Sequence, residues 1–108
     1  MTNDEFKKLR QELNTICTKT LSEKEEEYSF EKDRLIQFKA GGALDPTGPI
    51  LTLTGMMKKH TTSIYDMAFD HATGKVYTKV QWLEKIKDHR NYLDLLWALL
   101  HDVDAFKK

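Results

Sequence analysis

At 108 residues the chain has the size of one domain, large enough to bury a core yet small enough to lean on a partner subunit. Seventeen Lys and Arg against seventeen Asp and Glu cancel. That excludes a global field for nucleic acid or an anionic membrane and makes any phosphate site a local matter.

The single cysteine, Cys17, leaves no internal disulfide and suits a reducing cytosol. No apolar run approaches the ~20 residues of a membrane span, and the charged N-terminus lacks a signal-peptide core. The expectation is a soluble intracellular protein.

The elements follow in chain order. Thr2 and Glu5 form a T-x-x-E capping box. Phe6, Leu9, Leu13, Ile16 and Leu21 then recur at helical spacing, which predicts a first helix from residue 3 into the high twenties. Cys17 falls beside that stripe as a small packing residue. The line through Leu9 and Ile16 continues to Glu23 and Glu27, whereas Glu26 falls on the outer side. Phe30, Leu35, Ile36 and Phe38 suggest a short helical segment, with Asp33, Arg34 and Lys39 supplying charge around it. Gly41-Gly42 reads as a turn, and with Asp45-Pro46-Thr47-Gly48-Pro49 it makes a loop.

Leu53, Met56, Met57, His60, Ile64 and Met67 predict a second helix, closed near Asp70 to Gly74. Val76-Tyr77 is the only β-like pair and is too short to found a sheet. Thr78 and Gln81 form another capping box and open a third helix that runs almost to the end. The fold class expected is all-α: three main helices and a short one, in a single domain over residues 1–108.

The third helix raises the functional question. Trp82, Ile86, His89, Leu93, Leu96, Trp97 and Leu100 form one broad apolar face, and Lys87, Arg90, Asp94 and His101 a strip expected in solvent. Glu84, Asp88 and Asn91 lie on neither. They share a flank with Tyr92, Leu95 and Leu99, so the carboxylates should face a protein wall or a cleft. Buried carboxylates are costly unless paired, hydrogen-bonded or bound to a cation. Glu23 and Glu27 from the first helix, with Glu84 and Asp88 from the third, form an oxygen-donor set suited to Mg²⁺. The plainer reading makes Glu23 to Glu27 a solvated charge run and Glu84 an exposed helix ion-pair partner.

The second helix supplies the opposite charge. Lys59, His60 and Ser63 present an ammonium, an imidazole and a hydroxyl within about one turn, a contact set for a phosphorylated nucleotide. Arg34 and Lys39 add cationic reach, and Asn91 and Tyr92 add an amide and a ring that stacks. The plainer reading of His60 is a satisfied core histidine. No Walker or dinucleotide-binding loop, Cys/His metal spacing or nucleophile elbow is present in the sequence.

Tyr28-Ser29, Asp33-Arg34, Phe38-Lys39, Lys59-His60, Ser63-Ile64, Asp66-Met67, Glu84-Lys85-Ile86, Asp88, Asn91-Tyr92-Leu93, Leu95-Leu96 and Ala98-Leu99-Leu100 together resemble a family of small phage and prophage proteins. That family is related to the nucleotide-modification-associated domains and is distantly similar to the MazG-type all-α nucleotide pyrophosphohydrolases. The resemblance spans roughly residues 24 to 101. It implies a MazG-like bundle completed by dimerisation or a higher homo-oligomer, in the cytoplasm of an infected or lysogenic bacterium. Acids from two helices would hold Mg²⁺ and cleave a nucleoside triphosphate to monophosphate and pyrophosphate.

The chain departs from that pattern at two places. MazG-type enzymes carry E-x-x-E and E-x-x-D; here Glu23 and Glu26 have the first spacing, while the face argument pairs Glu23 with Glu27. Asp88 and Asn91 have the second, with an amide for the final carboxylate. An amide brings no charge, so the first expectation is a pocket that binds a nucleotide and sequesters a nucleotide signal in counter-defence. The alternative is a Mg²⁺-dependent pyrophosphohydrolase.

Overall fold

In a computed structural model of the chain we describe residues 1–27, 35–44 and 48–108, and within these the side chains other than those of residues 24–27, 36, 37, 43 and 44. Four helices account for most of them: α1 (Asn3–Glu27), α2 (Ile36–Leu44), α3 (Gly48–Ala72) and α4 (Lys79–Asp102). No strand occurs among the described residues. The all-α expectation holds.

Both capping boxes form. The Glu5 amide donates to Thr2 Oγ1 at 3.1 Å, and the Thr2 amide to Glu5 Oε2 at 3.3 Å. At the start of α4 the Gln81 amide donates to Thr78 Oγ1 at 3.1 Å, and the Thr78 amide to Gln81 Oε1 at 2.9 Å. Each box satisfies two amide donors that a helix start leaves without partners.

The helix ends are equally local. Gly74 sits at φ 102°, its amide donating to His71 O at 3.2 Å while Lys75 N donates to Asp70 O at 2.9 Å. That crossed pair of bonds ends a helix and requires a left-handed residue, here a glycine. Tyr77 then donates to Asp70 Oδ2 at 2.5 Å, with the Lys75 ammonium 5.0 Å from the centre of its ring.

The glycine pair overturns a sequence reading. Gly41 and Gly42 are not a turn; they lie inside α2. The reason is a neighbour. A Cβ on Gly42 would fall 2.3 Å from the Pro49 nitrogen, and one on Gly41 would fall 2.7 Å from Thr52 Cγ2. Both glycines therefore let α2 lie directly against the first turn of α3. Gly48 and Pro49, expected in the loop, belong to that first turn, where a proline's missing N–H costs nothing.

Among the described residues α2 packs on α3, α3 on α4, and α1 on α4 alone. The core gathers Leu35, Phe38, Leu53 and Leu99, with Ile50, Tyr92, Leu95 and Leu96 packed against it. Two expectations about α4 hold only in part. The Tyr92–Leu95–Leu99 flank is covered as expected, and of the broad apolar face Leu96 packs on the core while Trp82, His89 and Leu100 are half-buried, but Ile86, Leu93 and Trp97 are exposed, Trp97 by 61%. Lys87 and Arg90, expected in solvent, are half-buried, and the Arg90 guanidinium donates to Asn14 Oδ1 of α1 at 2.5 Å. A helix with apolar residues on every side does not declare which side its neighbours will cover. Among the described residues no helix is long and apolar enough to cross a membrane.

Candidate functional site

The seam between α3 and α4 brings together several of the residues singled out above. His60 of α3 stacks on Tyr92 of α4, ring centres 4.8 Å apart and planes tilted by 35°. One residue on, Thr61 Oγ1 lies 3.4 Å from His89 Nδ1, a second polar link across the seam. Burial pushes the His60 imidazole below its usual 6.5, and the charges of Lys85, His89 and Lys59 push the same way. Asp88 opposes them. The ring is therefore neutral at pH 7 and sits among two ammonium groups and one carboxylate.

The polar trio of α4 divides along its length. Glu84 is exposed and accepts from the Lys87 ammonium through both oxygens at 3.1 Å. Asp88 is half-buried. Asn91 is 3% exposed, and among the described residues neither its Nδ2 nor its Oδ1 has a hydrogen-bond partner. Stripping such a group of water without replacing its bonds costs about 1–3 kcal/mol. The line of three thus runs from the surface into a polar dead end.

A cleft of about 340 Å³ opens along the same seam toward the α3–α4 turn. Ser63, Asp66 and Met67 line it from α3, Gln81, Glu84 and Lys85 from α4, and Tyr77 closes its end. Ser63 also bonds back to the Lys59 carbonyl at 3.0 Å, so its hydroxyl is held on the helix. Lys85 is shared: it lines the cleft and its charge reaches His60.

The remaining sequence-predicted residues lie elsewhere. Lys39 forms an ion pair with Asp102, which is eleven residues beyond Asn91 and so about 16 Å farther along α4. Glu23 is exposed, 4.0 Å from Lys19 of its own helix. Arg34 and the Glu27 side chain lie outside the described residues, as do Tyr28, Ser29 and Asp33. Among the described residues no three Asp, Glu, His or Cys side chains converge where a metal ion could sit.

Tyr77, Gln81, Lys85 and His89 were not singled out as site residues from the sequence. Lys85 and His89 are four apart on one edge of α4, but what marks them is that both act on His60 across the seam. Compared with known proteins, the chain matches no protein-family model, no curated protein and no solved structure.

Proposed function

We propose that the α3–α4 seam binds a phosphorylated nucleotide. The observation that supports this most directly is the stacked His60–Tyr92 ring pair, with Asp88, Lys85 and Lys59 as the charges acting on the imidazole. Aromatic surface with ammonium groups near it is the combination a phosphate ester of a planar base requires. The unpartnered Asn91 carboxamide adds two donors and an acceptor on the line that begins at Glu84.

In this reading the protein holds a nucleotide rather than turning it over, as a phage protein that sequesters a nucleotide signal would. A homo-oligomer, a dimer at least, belongs to the same proposal, since Ile86, Leu93 and Trp97 leave apolar surface of α4 open.

The test is mass spectrometry of small molecules released from natively purified protein, followed by calorimetry and a Mg²⁺-dependent turnover assay on what is found. A bound nucleotide without turnover is the expected result. Release of pyrophosphate would move the reading to a pyrophosphohydrolase, and failure of every nucleotide to bind would remove it.

A further inference from the structure

The first three turns of α1 carry an apolar stripe that the rest of the chain leaves open. Phe6, Leu9, Leu13 and Ile16 recur at spacings of three, four and three, the rhythm of a seam between two helices. Leu13 and Ile16 are half-buried and Cys17 beside them is buried, but every residue from Met1 to Glu12 is exposed, Phe6 by 59% and Leu9 by 48%. Phe6 lies eleven residues before Cys17 and so in line with it, about three turns farther out. The covered side of α1 therefore continues, with the same kinds of residue, past the point where its own chain covers it. These turns are nonetheless built as helix, with the Thr2–Glu5 capping box at their start.

The exposed area gives the size of what is missing. The chain exposes 8382 Å². A folded monomer of 12.6 kDa exposes about 6,200 Å², which leaves a surplus of about 2,200 Å². The ten residues outside those described, even counted at the full exposure of an unfolded chain, would explain only about half of it. The other half, about 1,100 Å², falls within the roughly 1,000–2,500 Å² that each subunit of an obligate dimer buries. The charges beside the stripe fit the same kind of partner. Asp4, Glu5 and Glu12 balance Lys7, Lys8 and Arg10, a mixture that meets its own copy without net repulsion and offers an anionic membrane no net attraction.

We propose that the first three turns of α1 dock on a second copy of this chain, burying Phe6, Leu9 and Leu13 at a two-fold interface. The inference rests on the homo-oligomer in the reading above and places its contact on α1. On α4 the exposed row from Ile86 to Leu93 and Trp97 is broken by Arg90, whose guanidinium is engaged with Asn14. The stripe of α1 has no such break.

The experiment is light scattering of the full chain over a wide range of concentration, for the wild type, Leu9→Glu, Leu9→Gln and Trp97→Glu. Wild type and Trp97→Glu should be dimers. Leu9→Glu should be a monomer with the helical circular dichroism of wild type, because Leu9 is exposed within its own chain. Leu9→Gln adds no charge and covers the case in which the glutamate disturbs folding. It should raise the dissociation constant about tenfold or more, since symmetry counts the lost contact twice.

A dimer that Trp97→Glu dissociates and both Leu9 variants leave intact would overturn the α1 contact while keeping the homo-oligomer. A wild type that is monomeric at every concentration would overturn both, and binding of that monomer to anionic vesicles would give the stripe to a lipid surface instead. The nucleotide reading stands or falls by its own titration in each case.

Discussion

Arg90 of α4 donates to the Asn14 side chain of α1 at 2.5 Å, joining residues 76 apart in sequence. A hydrogen bond to a charged group in a half-buried place contributes about 1.5–3 kcal/mol. Asn14→Ala should therefore lower the urea midpoint by a corresponding amount, and Arg90→Ala somewhat more, because it also removes the packing of the side-chain stem. If both variants unfold at the wild-type midpoint, the bond contributes nothing to holding α1.

The unpartnered Asn91 predicts a trade of stability against binding. Asn91→Leu keeps the volume and removes two unsatisfied polar atoms, so it should stabilise the fold by about 1–3 kcal/mol. Nucleotide affinity should fall in the same protein. Chemical denaturation and calorimetry on one preparation check both halves; destabilisation would mean that the carboxamide already has its partners.

Lys59 and Lys85 should each matter for phosphate and little for folding. Lys59 is exposed and Lys85 half-buried, and a charge-assisted contact in a shielded site is worth about 1.5–3 kcal/mol. Lys59→Ala and Lys85→Ala should each weaken nucleotide binding about tenfold or more. The loss should shrink as salt is raised, because part of it is screened attraction. Unchanged affinity in both would dissolve the cationic half of the site.

His60 gives a pH dependence with a definite sign. Its folded value is lowered, chiefly by burial and then by Lys85, His89 and Lys59 against Asp88. Above the usual 6.5 the imidazole is neutral in both folded and unfolded chains and costs nothing. As pH falls through 6.5 the unfolded chain takes up a proton that the folded seam resists, so stability drops until the lowered folded value is passed. The difference in unfolding free energy between wild type and His60→Gln isolates this group from the other histidines. It should move against wild type as pH falls from 7.5 to 5, and a flat difference would place His60 in solvent.

The helices were legible because their signals are short-range. Thr2 with Glu5 and Thr78 with Gln81 lie within one turn of each other, and Gly74 acts on carbonyls three and four residues back. The glycine pair was not legible, because what requires it is Pro49 and Thr52, and a missing side chain reads alike in a turn and at a close crossing. The side of α4 that would be buried was ambiguous for a related reason. Trp82, Leu93 and Trp97 outweigh Tyr92, Leu95 and Leu99 in apolar character, yet the placement of α3 decides which row is covered. For the site, spacing predicted that Glu84, Asp88 and Asn91 would point away from open water; Asn91 does, and Glu84 does not. Lys85 and His89 gain their meaning only from facing His60, which no spacing within one helix could reveal.

Among the described residues α1 touches only α4, whereas α3 is held on two sides. In a chain of helices packed in this order the first is a terminal link, and it detaches without breaking any contact between the other three. Its amides then exchange with solvent hydrogen through an opening smaller than global unfolding. Cys17 of α1 is 3% exposed, so an opening that uncovers α1 makes its thiol accessible. The rate at which a thiol reagent labels this protein is a clock for that opening, read from the one cysteine the sequence contains.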